Sequence, residues 1–141
     1  MDQSLDESLA EYLRLEDALA HYCDRSGPNM SEPERILTDL CYYWSAAICN
    51  NGDVFGYVPF IIEHEADFIA IGAVGTLKAL AKLMPFYREQ EKLENQDDKN
   101  KYWWRTRDER APVEALAEGV NDFGYLLLAY AQKNLGAQCE A

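Results

Sequence analysis

The sequence predicts an all-α fold, a single compact domain over residues 1–141 built from five or six helices around a central apolar helix. Two observations favour helices. Apolar residues recur at helical spacing along several stretches, and two segments carry the Ser-x-x-Glu pattern that caps helix starts. A third favours a compact core, because 48% of the 141 residues are apolar and a chain of this length can bury about two-thirds of its unfolded surface.

The first two helices have the clearest boundaries. Ser4–Glu7 forms a capping box, which predicts a helix that continues to about Asp24. A second box at residues 31–34 begins the second helix, and its apolar residues between positions 36 and 48 follow the i, i+3, i+4, i+7 pattern. This helix is predicted to end at residues 50–52, Asn-Asn-Gly, because these residues tolerate positive φ and let the chain reverse.

The middle of the chain supplies the central helix. A short element over residues 53–64 begins with a capping aspartate, and Pro59 predicts a kinked helix or two short turns, with a strand as the lesser alternative. Residues 66–84 are nearly apolar on all sides, which predicts one continuous, central helix. Gly72 and Gly75 lie on a stripe of small residues and are assigned a structural role, the close approach of a crossing helix.

The last third of the chain is predicted to be less regular. Pro85 ends the central helix or begins a polar one. Residues 96–111 carry nearly balanced charges without apolar periodicity, which predicts a mobile charged loop. Pro112 suits the first turn of a last helix, which Gly136 closes. The tail at residues 136–141 is predicted to fray.

The formal net charge of −12 is concentrated in the first half of the chain. Residues 1–76 hold 14 acidic and 3 basic side chains, whereas residues 77–141 hold 11 acidic and 10 basic ones. An acidic surface repels nucleic acid and anionic membranes and attracts basic proteins, so we expect neither direct nucleic-acid binding nor membrane association. The plainer alternative is that the acidity keeps a bacterial-type protein soluble.

The chain is predicted to be cytoplasmic. Its acidic start does not follow the pattern of a signal peptide, and no run reaches the roughly 18 apolar residues of a membrane span. The cysteines are interpreted as small apolar residues in a reducing compartment. They are Cys23, Cys41, Cys49 and Cys139.

The acidic residues of the first half are the candidates for a partner-binding surface. If several share a face, their carboxylates could take positions that resemble the phosphates of a duplex, and a DNA-binding protein could bind this chain instead of DNA. A solvated acidic face without a partner is the alternative. The candidates are Glu11, Glu16, Asp17, Asp24, Glu32, Glu34, Asp39, Asp53, Glu63, Glu65 and Asp67.

No catalytic motif was found among the patterns GxSxG, P-loop, GxGxxG and HExxH. The chain is therefore predicted not to be an enzyme and to need neither a cofactor nor a metal ion. Asp17 and His21 are four residues apart on a helix, where they can form an ordinary surface pair or hold a metal. A metal-dependent enzyme that uses these two residues with His64 is the least favoured function.

An aromatic and basic patch follows at residues 102–107. Trp103, Trp104 and Arg105 are interpreted as an anchor of the charged loop to the core, with arginines paired to nearby acids, or as a protein-interface hot spot. Aromatics mixed with arginines also occur in single-strand nucleic-acid binders, which the overall acidity disfavours.

Asn51-Gly52, followed by aromatic residues and then by Ile71-Gly72-Ala73, resembles a bacterial domain of unknown function typified by the neisserial DNA-mimic protein. That family pairs an Asn-Gly-Gly-Phe turn and an aromatic run with an Ile-Gly-Ala helix, and the resemblance covers Ile36 to Met84. Asp53 and Val54 stand where the family has its second Gly and its Phe. The resemblance implies an all-helical fold and structural roles for the two motifs. For the characterised member, it implies binding to a transcription regulator in place of DNA.

The sequence therefore predicts a non-enzymatic, acidic protein-binding domain. The expected partner is a basic protein. Mimicry of DNA is the specific form of inhibition that we expect. The chain could also form a homodimer. An immunity-type protein that neutralises a cognate toxin is the alternative, because such proteins are often small acidic domains.

Overall fold

Seven α-helices occur in the part of the chain that the computed structural model describes, residues 3–23, 30–49 and 53–139. These ranges contain no β-strand, so the all-α class is confirmed, with more helices than the five or six expected. None of these helices combines the length and apolar character needed to cross a membrane. The helices are α1 Gln3–Cys23, α2 Glu32–Tyr43, α3 Val58–Glu63, α4 Glu65–Ile71, α5 Val74–Glu91, α6 Gln96–Glu114 and α7 Val120–Cys139.

Some predicted features lie outside the described residues. They include Asp24 and the turn that follows it, and the reversal that contains Asn51 and Gly52. The side chain of Ser4 and the last two residues of the chain are also outside.

The capping box at the start of α2 is confirmed. Ser31 Oγ accepts the backbone N–H of Glu34 at 3.3 Å, and the Glu34 carboxylate accepts the backbone N–H of Ser31 at 3.2 Å. After Tyr43 the helix widens into a π-helical turn, Trp44–Ile48, in which the Cys49 N–H donates to the Trp44 carbonyl at 2.8 Å. Helical structure therefore extends to Ile48, two residues before the predicted end at residues 50–52, which lie outside the described residues.

The kink predicted around Pro59 is confirmed as two short helical pieces. Asp53 Oδ1 accepts the N–H of Gly56 at 2.9 Å and caps a 3₁₀ turn, Phe55–Tyr57. Pro59 lies in the first turn of α3, where its missing N–H leaves no helical hydrogen bond unmade. The strand alternative for this segment is therefore wrong.

The prediction of one continuous helix over residues 66–84 is wrong. Gly72 adopts φ 80°, a left-handed conformation that glycine reaches without steric strain. The Ala73 N–H donates to the Phe68 carbonyl at 3.0 Å, which closes the C-terminal cap of α4. Gly72 thus ends a helix and does not admit a crossing one. Each half buries one side rather than all sides, and the buried residues of α4 are Asp67, Phe68 and Ile71. The buried residues of α5 are Thr76, Ala79, Leu80 and Leu83.

The predicted mobile loop at residues 96–111 is also wrong, because these residues form most of α6. Asn95 Oδ1 accepts the N–H of Asp98 at 2.8 Å and caps the start of the helix. The buried residues of α6 share one helical face, and they are Tyr102, Thr106 and Arg110. Because two of the three are polar, a search for apolar periodicity misses this helix.

The prolines and the last glycine do not end helices where expected. Pro85 lies inside α5 and Pro112 inside α6, rather than at helix boundaries. The carbonyls that lose a partner are those of Ala81 and Asp108, four residues earlier, and both residues are exposed, so water can satisfy these carbonyls. Helix α7 continues past Gly136 to Cys139, so fraying from residue 136 is wrong as far as the structure describes the tail.

The core is one cluster of buried apolar side chains that extends from α1 to α7. Tyr43 of α2 lies at its aromatic centre, with ring centroids 5.0 Å from Phe68, 5.3 Å from Phe123 and 5.8 Å from Phe60. Helix α2 therefore takes the central position, as expected for the second helix. Helix α6 packs mainly on α5, which leaves one side of α6 free at the surface.

Candidate functional site

The predicted acidic residues do not form one set of free carboxylates. Those that form an ion-pair network with Arg35 are Glu32, Asp39 and Asp67. Four others accept hydrogen bonds from a nearby backbone N–H, hydroxyl or amide, and they are Glu11, Glu16, Glu34 and Asp53. Those that are exposed and bond to none of the described residues are Asp17, Glu63 and Glu65.

The Arg35 network joins α2 to α4. The two terminal nitrogens of Arg35 donate to the two carboxylate oxygens of buried Asp67 at 3.2 and 3.1 Å, a bidentate pair. Arg35 also bonds to Asp39 at 2.9 Å and to Glu32 at 2.7 Å. His64 Nδ1 lies 3.1 Å from Asp67 Oδ2. Burial opposes ionisation of Asp67, but the hydrogen bonds from Arg35 and His64 outweigh it and hold the pKa of that carboxyl below its usual range.

This network is the one place in the described chain where three groups of metal-ligand type meet, with ligand atoms of Asp39, His64 and Asp67 within 4.8 Å of one another. Neither Asp17 nor His21, the other two predicted ligands, belongs to the group. Arg35 Nη1 donates to the Oδ2 atoms of both aspartates, so a guanidinium already occupies the position that a cation would take. We interpret the group as an ion-pair network that holds two helices together.

Asp67→Asn is expected to reduce the loss of stability in acid. Since the pKa of Asp67 is lower in the folded protein, its ion pairs stabilise the fold fully above the usual aspartate pKa of about 3.9 and lose this effect as the pH falls through the folded value. Urea denaturation at pH 6 and pH 3 measures the difference. The wild type should lose more stability between these conditions than Asp67→Asn, and Glu63→Gln, an exposed control, should behave as the wild type. Equal losses in all three would contradict the assignment.

Two further predicted acids contact neighbouring residues. Glu11 of α1 accepts hydrogen bonds from Asn121 Nδ2 at 3.0 Å and from the Tyr125 hydroxyl, which links α1 to α7. Glu16 accepts the Tyr12 hydroxyl at 2.7 Å, and this hydrogen bond raises the pKa of Tyr12. Both carboxylates therefore have a structural role, although they keep their charge near the surface.

The predicted aromatic and basic patch lies on α6. Trp104 is 65% exposed, whereas Trp103 is half-buried against the core. Their rings meet edge to face, with centroids 4.9 Å apart. Arg105 lies over the Tyr102 ring at 5.3 Å, while Arg107 lies 5.9 and 5.5 Å from the two tryptophan rings. The patch is therefore part of a helix and keeps a large aromatic surface in solvent.

Beside this patch lies a depression of about 580 Å³, here called the tryptophan cleft. It brings Asp53, which begins the segment before α3, next to the last turns of α6. The cleft combines aromatic, basic and acidic groups, and its lining residues are Asp53, Trp103, Trp104, Arg107, Ala111, Glu114 and Ala115.

The Glu114 carboxylate has two hydrogen-bond partners at the cleft. Its Oε1 accepts the backbone N–H of Phe55 at 2.9 Å and lies 3.5 Å from Arg110 Nη1. Burial is the main cause that raises the pKa of Glu114, and the negative charge of Asp53 adds to it. The carboxylate is thus fixed in place by groups behind it.

Arg110 is buried behind the tryptophan cleft and contacts residues that line or adjoin it. It is 0% exposed, and its guanidinium lies 4.1 Å from the Phe55 ring and 4.9 Å from the Trp103 ring. It donates to the Trp103 carbonyl at 2.6 Å and to Thr106 Oγ1 at 3.1 Å. This buried cation therefore fixes the Trp103 backbone.

Sequence reasoning missed Glu114 and the grouping of Asp53 with α6, although it included Arg107 in the aromatic and basic patch at residues 102–107. The signal in the sequence was the Asn95 cap and the i, i+4 spacing of Tyr102, Thr106 and Arg110, but the approach of Asp53 depends on tertiary structure. Glu118 was also missed. It lies across from the start of α5, where its carboxylate accepts the Gly75 N–H at 2.7 Å and the Thr76 N–H at 3.0 Å.

No protein-family model, curated protein or solved structure has significant similarity to the chain. The resemblance to the domain typified by the neisserial DNA-mimic protein stays a prediction. The tryptophan cleft and the distribution of charge are the features of the described chain that bear on its function.

Proposed function

We propose that this chain is a non-enzymatic, acidic protein-binding domain that docks on a basic surface of another protein and uses the tryptophan cleft as its anchor. The observation that carries the proposal is the exposure of Trp104, at 65%, on a regular helix beside the carboxylates of Asp53 and Glu114. Tryptophan is among the residues most enriched at the energetic centres of protein interfaces.

The charge of the chain supports a basic partner. A net charge of −12 attracts cationic surfaces over distances of about a Debye length and speeds their encounter. Exposed Asp17, Glu63 and Glu65 bond to none of the described residues and are available for this steering. In the Arg35 network three carboxylates share one guanidinium, so this part of the surface also keeps excess negative charge.

A DNA-binding protein is the specific partner class that we propose, with the acidic surface in the place of DNA. Proteins that bind duplexes carry basic residues arranged to neutralise phosphates, and the same residues can pair with carboxylates. In that role the domain inhibits its partner by occupying the nucleic-acid-binding surface, as the resemblance stated above also implies.

The proposal predicts a salt-sensitive complex that duplex DNA disrupts. The immobilised chain captures proteins from a bacterial lysate at low salt, and each captured protein is purified and titrated over a salt series. The expected partner has a basic surface, loses affinity as salt rises and is displaced by duplex DNA. Trp104→Ala should weaken its binding by roughly tenfold or more, whereas Ile69→Ala, an equally exposed apolar control at 60%, should not.

Other outcomes contradict parts of the proposal. A partner that binds independently of salt and is not displaced by DNA argues against mimicry, and a toxin in that role supports the immunity alternative. If Trp104→Ala and Ile69→Ala bind the partner as tightly as the wild type, the tryptophan cleft is not the anchor.

A further inference from the structure

We infer that the tryptophan cleft binds an arginine side chain of the partner protein, an inference that rests on the proposed function. It adds the chemical identity of the group that the cleft recognises. Three features support it: two carboxylate oxygens without a hydrogen bond to the described residues, the position of the chain's own Arg107, and the planar aromatic wall.

The acids of the cleft keep acceptor atoms for an incoming cation. Asp53 uses Oδ1 to cap the turn at Gly56, and Glu114 uses Oε1 to bind Phe55 and Arg110. The second oxygen of each carboxylate forms no hydrogen bond with the described residues. Because other groups fix both side chains, an arriving donor finds them already oriented, which lowers the entropy lost on binding.

Arg107 indicates which cation suits the wall of the cleft. Its guanidinium lies 5.9 Å from the centroid of the Trp103 ring and 5.5 Å from that of Trp104. No ion pair within 4 Å joins it to a described carboxylate, although its positive charge acts on nearby Glu114. The two rings are therefore its closest described partners. An exposed side chain held in this way can move aside when a better-placed cation arrives.

The shape of the site favours arginine over lysine. A guanidinium is planar, stacks on indole rings and can donate to two carboxylates at once, whereas an ammonium is compact and more strongly hydrated. A volume of about 580 Å³ leaves room for such a side chain beside Arg107.

Nuclear magnetic resonance of the full chain gives a direct test with methylguanidinium. The indole N–H signals of Trp103 and Trp104 should shift on titration. The Trp44 signal is an internal control, because its indole N–H is bonded to the Val120 carbonyl at 2.7 Å in the core. Shifts of equal size in all three signals, or in none, would overturn the inference.

Peptide binding tests the selectivity. A capped octapeptide of alternating glycine and arginine should bind several-fold more tightly than its lysine counterpart, with on the order of fivefold expected from stacking and bidentate pairing. Glu114→Gln should weaken the arginine peptide by roughly tenfold. Glu63→Gln, an exposed site with the same change in charge, should weaken it by about twofold at most.

Arg107→Gln should tighten binding of the arginine peptide, because it removes the internal competitor. Glu114 also holds Phe55, so circular dichroism of Glu114→Gln is needed to verify folding, and Asp53→Asn supplies a second variant with the same expected loss. Equal affinity for both peptides, or equal effects of Glu114→Gln and Glu63→Gln, would overturn the inference. If partner capture still depends on Trp104 in that case, the proposed function stands without arginine recognition. If capture does not depend on Trp104, the inference fails together with the part of the proposed function that makes the cleft the anchor.

Discussion

Arg110→Ala is expected to destabilise the fold by about 3–5 kcal/mol, the range for removing one partner of a buried charge pair. The substitution leaves Glu114 without its cation, leaves the Trp103 carbonyl without its donor at 2.6 Å, and opens a cavity against the Phe55 ring. Urea denaturation followed by circular dichroism measures the change. The expected result is a lower midpoint and a less ordered tryptophan cleft.

Arg107→Ala is the matched control on the same helix. Arg107 is exposed, lies near the tryptophan rings and forms no ion pair within 4 Å with a described carboxylate, so its loss should change stability by less than about 1 kcal/mol. A double variant, Arg110→Met with Glu114→Gln, should recover part of the lost stability, because it removes both charges and fills the cavity. If Arg110→Ala lowers the free energy of unfolding no more than Arg107→Ala does, Arg110 does not stabilise the cleft.

Gly75→Ala is expected to destabilise the fold by about 2–4 kcal/mol, through overpacking and lost charge-assisted hydrogen bonds. A Cβ atom at this position would collide with the Leu116 carbonyl oxygen and lie 2.9 Å from Glu118 Oε1. The Leu116 carbonyl can move only if the loop between α6 and α7 moves with it. The loop would therefore withdraw, and the start of α5 would lose the Glu118 carboxylate that caps Gly75 and Thr76.

Two other glycines provide controls for this prediction, with stability measured by the same denaturation experiment. A Cβ atom added at Gly136, in α7, would have no atom within 4 Å. Gly136→Ala should therefore stabilise the fold by up to about 1 kcal/mol. A Cβ atom at Gly72 would also have no atom within 4 Å, but the backbone φ of Gly72 is 80°. Gly72→Ala should therefore destabilise the fold by about 1–2 kcal/mol. If all three substitutions have similar effects, the close approach of Leu116 to Gly75 does not limit this position.

Gly75 also illustrates what a sequence pattern can and cannot identify. The stripe of small residues correctly predicts that some group approaches closely, but the group is the loop at Leu116 and Glu118 rather than a crossing helix. The identity of a neighbour 41 to 43 positions away depends on how the chain folds back. A glycine pattern reports available space and carries no information about what fills it.

Local interactions explain the successful predictions. The Ser31 capping box, the turn capped by Asp53 and the kink at Pro59 depend on atoms within a few residues of one another, so residue type and spacing specify them. The prediction for residues 96–111 was wrong because α6 buries Thr106 and Arg110 where a periodicity search expects apolar residues. Their hydrogen-bond partners are Tyr102, Trp103 and Glu114 of the same helix, so these polar side chains can be buried without an unpaired donor.

By itself, the sequence determined the all-α class, the caps at Ser31 and Asp53, the excess of acid in the first half and the presence of an aromatic patch at residues 102–107. Only the tertiary structure decided that Arg35 neutralises part of that acid, that Asp53 meets Glu114, and that Trp104 stays in solvent. The physical reason is the separation along the chain of the residues that interact. Capping and helical periodicity act over one or two turns, whereas an ion pair or a cleft depends on which distant side chains the packed core brings within a few ångströms.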